Sequence, residues 1–212
     1  MKAAIDFYFD FSSPYGYIAA EKIDALAAKH GRGVQWRPML LGAAFKLTGG
    51  QPLPSIPIKG EYAKRDFLRS ARFHGVPMKI PSVFPISGLA ACRAFYSLNE
   101  KDRVALAKAL LRAYFVDDVN IGEPESVMKI AAGLGHKPDL ADPAIKEKTK
   151  TEVDAAIKAG VFGSPYMVAD GEPFCGIDRF DQLDAGVAFG ELVVRDHQIG
   201  HALGDKIGRA HV

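Results

Sequence analysis

At 212 residues, 48% hydrophobic and with a formal net charge of +2, the chain can bury a sizeable core, and one domain carrying an insertion is the natural expectation. The near balance of 27 Lys and Arg against 25 Asp and Glu offers nothing to draw a nucleic acid or a membrane surface, and no apolar run is long enough to span a bilayer. The opening residues do not read as a signal peptide and the two cysteines, Cys92 and Cys175, form no motif, so a reducing cytoplasm is the expected setting.

In chain order, Ala4 to Phe11 reads as a buried strand rich in aromatics. Tyr17 to His30 reads as a helix, with Ile18, Ile23, Leu26 and Ala27 on one apolar stripe. Ser12 and Ser13 therefore fall on a strand-to-helix turn, and Pro14 suits a first helical turn because its missing N–H would be unpaired there anyway. Two readings of this turn are open. It is an ordinary helix cap, in which a hydroxyl satisfies an orphan amide, or it is a site where backbone amides attract an anion and depress the pKa of a thiolate.

Gly49 to Pro57 is a Gly/Pro-rich loop, and Glu61 to His74 follows as an amphipathic helix. The apolar period predicts further helices over Ser87 to Leu98, Lys101 to Val116 and Glu123 to Ala132, with Pro124 in a first turn and Cys92 a small buried residue. Ala144 to Ala159 reads as a helix, then Pro165 stands at a strand entrance. Asp170-Gly171 is a two-residue turn signal, and Asp178 to Leu183 starts another helix. A strand-helix-strand first half, followed by a proline-led hairpin and a helix, outlines a thioredoxin fold. The expected class is α/β, a thioredoxin fold with an inserted all-α domain. Residues 1–40 and 144–188 are expected to form the thioredoxin-like part, and 41–143 the helical insertion. In that fold the proline before the third strand is cis, so Pro165 is expected to be cis, against the plainer alternative of a trans proline ending a helix. Ser13-Pro14-Tyr15-Gly16 occupies the place of a redox Cys-x-x-Cys. With serine at 13 and glycine at 16 the usual disulfide chemistry is excluded, and a thiolate would have to arrive on a ligand.

Asp10-Phe11-Ser12-Ser13-Pro14-Tyr15, Gly160 to Pro165 and Gly176-Ile177-Asp178-Arg179 together resemble the 2-hydroxychromene-2-carboxylate isomerases and the kappa-class glutathione transferases. Lys59 to Tyr62, Val76 to Pro81 and Asn120 to Pro124 fit the same pattern in matching order. The resemblance implies glutathione as cofactor and a homodimer. Ser13 would donate a hydrogen bond to the glutathione sulfur and so favour the thiolate. Ser164, beside Pro165, would pair its backbone with the cysteinyl residue as a short added strand. Asp178 would hold the γ-glutamyl ammonium, with Gly176 and Ile177 giving backbone contacts beside it. Lys59 would sit near the glycine carboxylate, or equally is a solvated loop charge. The implied reaction interconverts 2-hydroxychromene-2-carboxylate and trans-o-hydroxybenzylidenepyruvate-type aromatic 2-oxo acids by thiolate addition, bond rotation and elimination. Lys46 and Arg37 are the candidate cations for the substrate carboxylate; Phe84, Tyr15 and Phe45 are the candidate walls. The alternatives are a kappa-like transferase or peroxidase acting on other electrophiles, and a non-catalytic thioredoxin-fold binding protein.

Two positions depart from the family. Ile177 stands where a polar residue usually binds the γ-glutamyl carboxylate, and Gly50 where an Asn is common. Both subtract polar contacts, which implies weaker glutathione binding or use of another thiol. The resemblance stops near Ala185. Ile207 to Val212 is what a common sequencing adapter spells in one reading frame, so residues 189–212 are expected to be a tail that is not native structure. For the same reason His197, His201 and His211 are not expected to form a metal site.

Overall fold

The computed structural model describes residues 2–189. The expectations for the tail from 190 onward, its three histidines included, lie outside the described residues. Alternation sets the first strand: in β1 (Ile5–Phe9) Ile5, Phe7 and Phe9 are fully buried while Asp6 and Tyr8 turn to the other face. β1 pairs in parallel with β2 (Val34–Pro38) and antiparallel with β3 (Tyr166–Ala169), and β4 (Glu172–Cys175) extends β3, giving the order β2-β1-β3-β4. Trp36 of β2 packs edge-on against Phe7 and Phe9, with ring centroids 5.1 and 5.4 Å apart.

The single helix expected over Tyr17–His30 is two, α1 (Pro14–Ala20) and α2 (Ile23–Lys29). The chain tightens between them, where the Lys22 N–H reaches Ala19 C=O at 3.0 Å. α1 is buried nearly all round, and the break lets Ile23 and Ala27 of α2 face the core as well. Asp24 then fixes α2 to the sheet by accepting from the Trp36 indole at 3.0 Å.

Between β2 and the last helix before β3 lie α3 (Leu41–Thr48), a 3-10 turn at Leu53–Ser55, α4 (Lys59–Phe73), α5 (Leu89–Ser97), α6 (Glu100–Phe115) and α7 (Pro124–Gly133). α8 (Pro143–Lys158) returns the chain to the sheet. A 3-10 turn at Ile177–Arg179 leads into α9 (Phe180–Phe189), so Asp178 lies in that turn and not in a helix proper. β2 alternates apolar Val34 and Trp36 with polar Gln35 and Arg37 but runs for only five residues and ends in Pro38, and α3 begins three residues later, so neither had a long local signal. Cys92 is fully buried in the main core, as its apolar setting predicts.

Ile58, just before α4, takes φ 69°, ψ −53°, and the Lys59 N–H bonds Pro57 C=O at 2.8 Å to close a γ-turn around it. A left-handed φ costs a β-branched residue about 1–2 kcal/mol, and this side chain is 94% exposed, so packing returns nothing. Ile58→Gly is therefore expected to raise stability by about 1 kcal/mol in urea denaturation. An unchanged or lower midpoint would show that the turn is not strained.

Candidate active site

The stretch Asp10 to Ser13 ties together four parts of the chain. Ser13 caps α1 in extended backbone (φ −89°, ψ 115°), and its Oγ accepts from the Gly16 N–H at 3.0 Å. The same hydroxyl donates to the Ser164 carbonyl at 3.0 Å. The Ser164–Pro165 peptide is cis, as is Phe84–Pro85. Ser164 Oγ in turn accepts from the Asp10 N–H at 2.9 Å, so the first turn and the loop before β3 are bonded in both directions.

Asp10 is 5% exposed. Its carboxylate accepts from the Ser12 N–H and from the Leu41 N–H at the start of α3, both at 2.7 Å. Burial pushes its pKa up, and the two backbone hydrogen bonds oppose that rise. Ser12 Oγ accepts from the Ile86 N–H at 3.0 Å, which fixes the loop before α5.

Gly16 is required where it stands. A Cβ there would lie 2.5 Å from Ser164 Oγ and 3.1 Å from Ser13 Cβ, and Ser164 Oγ cannot retreat without leaving the Asp10 N–H. Gly16→Ala is expected to cost about 2 kcal/mol of stability from overpacking. A crystal structure of the variant would show Ser13 and Ser164 pushed apart; an unmoved pair would overturn this account.

These residues open onto a cavity of about 780 Å³. Ser13, Ser164, Gly176, Ile177 and Asp178 are part of its wall. In the same wall Tyr15 packs edge-on to Phe67 (5.0 Å), and Phe67 edge-on to Phe84 (6.1 Å). The Tyr15 hydroxyl donates to the Asp66 carboxylate of α4, and burial together with that bond pushes the tyrosine pKa well up. For Asp66, burial works upward, but hydrogen bonds from Tyr15 and Arg69 leave its carboxyl below the usual range.

Thus Ser13, Ser164, Gly176, Ile177, Asp178 and Phe84 meet at one cavity, together with Tyr15 and Phe45. Pro165 is buried behind its wall, with its carbonyl accepting from the Gly176 N–H at 2.9 Å. The expected cations are not brought to it. Arg37 lies on the α8 side of the sheet, where its Nε donates to Asp6 at 2.7 Å and its guanidinium stands 5.9 Å from the Tyr8 ring centre. Lys46, in the last turn of α3, and Lys59, the first residue of α4, are exposed and stand off the wall. At position 50 a side chain would meet Phe45, whose ring lies 2.9 Å from a built Cβ. Sequence reasoning missed Asp10, Asp66, Phe67 and Cys175 as wall residues. Asp10 carried a faint signal as an aspartate two residues before a serine amide, whereas Asp66 is one charge among many on α4.

A family model for the DsbA-like thioredoxin domain matches residues 4–188. The chain belongs to this family. Within it, the chain is 29% identical over 193 residues to a 2-hydroxychromene-2-carboxylate isomerase of Sphingobium xenophagum, covering 87% of this chain and 98% of the relative. It is 28% identical over 200 residues to the human glutathione S-transferase kappa 1, covering 84% of this chain and 88% of the relative. Among solved structures, a 2-hydroxychromene-2-carboxylate isomerase superposes with a TM-score of 0.75 at 24% identity, over 97% of this chain and 98% of that one. These relatives are enzymes by name.

Proposed function

We propose that this DsbA-like protein is a glutathione-dependent isomerase that changes the geometry of a conjugated double bond. The observation that carries this reading is the Ser13 hydroxyl: 7% exposed, on the cavity wall, and hydrogen-bonded to the carbonyl that precedes the cis-proline. When glutathione binds, the hydroxyl hydrogen turns from Ser164 C=O to the ligand sulfur, while Oγ keeps accepting from the Gly16 N–H. The Ser164 carbonyl is then free to accept the N–H of the ligand's cysteinyl residue, so every donor keeps a partner. Asp178, on the same wall, takes the γ-glutamyl ammonium, and the Ile177 N–H serves the ligand backbone beside it, the Gly176 N–H being held by the Pro165 carbonyl.

Hydrogen bonding to the sulfur favours the charged form and makes it a nucleophile near neutral pH. The thiolate forms a C–S bond to the carbon β to a carbonyl, and the electron pair moves to the carbonyl oxygen. The former double bond is now single and rotates. Return of the electron pair breaks the C–S bond, releases the thiolate and restores the double bond in its new geometry. A transferase differs only in keeping the C–S adduct, and the kappa relatives support that second reading. A homodimer and a cytoplasmic setting belong to the same reading.

The test is the near-ultraviolet thiolate absorbance of glutathione, titrated against pH with wild type and with Ser13→Ala. Wild type is expected to lower the thiol pKa below its free value, and the variant to lose that shift. If wild type leaves glutathione's titration unchanged, the reading fails.

A further inference from the structure

We infer that the second substrate is an uncharged aromatic conjugated carbonyl, and that an aromatic 2-oxo acid is selected against. This rests on the proposed use of glutathione for the chemistry, but the preference itself is a property of the cavity wall.

The apolar part of the wall includes Leu40, Leu41, Phe45, Leu53, Phe67 and Phe84. Tyr15 and Phe84, both half-buried and both edge-on to the buried Phe67 ring, are aromatic wall residues against which an aryl group can pack. The charged side chains on the wall are Asp10, Asp66 and Asp178, and among the described residues it carries no Lys, Arg or His. Among the described residues, Arg69 and Arg179 beside the wall already face carboxylates of their own. Arg69 serves Asp66 and the Tyr62 hydroxyl, which it reaches at 2.9 Å. Arg179 stands 3.6 Å from Asp178. Arg37 is spent on Asp6 across the sheet, and Lys46 and Lys59 are exposed off the wall.

A co-substrate carboxylate would thus leave water for a wall that offers it neutral hydroxyls and one amide (Ser12, Ser70, Ser87 and Gln51) but, among the described residues, no counter-charge. Burial of an unpaired charge is among the most costly desolvations in a protein. A ketone of the same shape leaves only a neutral oxygen to solvate. The cavity, about 780 Å³, lies within the range that holds small organic ligands. The isomerisation needs no carboxylate, because the carbonyl alone accepts the electron pair when the C–S bond forms and returns it when that bond breaks.

The experiment uses a matched pair of cis substrates, benzylideneacetone and benzylidenepyruvate, which differ by a methyl group against a carboxylate. With glutathione present, their conversion to the trans form is followed by absorbance. The ketone is expected to exceed the 2-oxo acid in kcat/KM by at least about tenfold. A 2-oxo acid turned over equally well or better overturns the inference. A second measurement needs no thiol: calorimetric binding of 4-phenylbutan-2-one and 4-phenyl-2-oxobutanoate to the protein alone. Tighter binding of the ketone supports the inference even if glutathione proves not to bind, and equal or tighter binding of the acid defeats it even if glutathione does. Phe45→Arg places a cation on the wall and is expected to move the ratio towards the acid by tenfold or so. A ratio that does not move, in a variant that still folds by circular dichroism, means charge is not what the wall selects on.

Discussion

Asp10→Ala is expected to lower the stability of the protein by about 3 kcal/mol, because it strips the acceptor from two backbone N–H groups at once. Each buried donor left without a partner costs roughly 1–3 kcal/mol, and the Ser12 and Leu41 amides both depend on this carboxylate. Asp10→Asn keeps one acceptor oxygen and is expected to lose about half as much. Urea denaturation followed by circular dichroism measures both, and a loss below about 1 kcal/mol for the alanine variant would show that water replaces the carboxylate freely.

The pH dependence of that loss has a fixed sign. Burial holds the Asp10 carboxyl above its ordinary value of 3.8, so between that value and the raised one the folded state keeps the proton more readily than the unfolded state. The group's stabilising contribution is complete below the ordinary value and declines as pH rises through the raised one. Asp66, Asp170 and Asp184, all shifted the other way by their partners, titrate in both proteins and cancel in the difference. The gap between wild type and Asp10→Ala is therefore expected to be wider in acid than at neutral pH. A gap that widens with rising pH would mean that the hydrogen bonds from Ser12 and Leu41 outweigh burial.

Ser13→Ala separates chemistry from folding. Loss of a serine cap costs about 1 kcal/mol, since the Gly16 N–H loses its partner. Loss of one charge-assisted hydrogen bond to a thiolate is worth about 1.5–3 kcal/mol, or roughly 10- to 100-fold in kcat/KM. The variant is expected to stay folded, to lose turnover on that scale, and to shift the acid limb of its pH-rate profile towards the pKa of free glutathione. A drop in turnover with the pH profile unmoved would assign Ser13 to loop structure alone, through its bond to Ser164.

Much of the frame was legible because its signals are local. Alternating aromatics placed β1, apolar period placed α4 to α8 within a residue or two, and Asp170-Gly171 announced the β3–β4 hairpin. The order of those elements was enough to infer a thioredoxin fold, and the serine at 13 was enough to exclude Cys-x-x-Cys chemistry. The Tyr17–His30 break was not legible, because no Gly or Pro marks it; it follows from which side chains the sheet and α6 can bury.

The sequence by itself thus determined the order of most elements, the special turn at Ser12–Ser13 and the lack of a cysteine at that turn. The tertiary structure alone decided which charges share the cavity with that turn. Arg37 alternates with Trp36 along β2, so pleating sends it to the opposite face from the buried core. Lys46 and Lys59 lie next to wall segments in sequence, yet helix geometry turns both to solvent. Asp10 and Asp66, by contrast, are brought to one wall from segments 56 residues apart by backbone hydrogen bonds and ring packing that no local pattern records. Side-chain direction depends on the phase of each element against its neighbours, and that phase is set only when the elements pack.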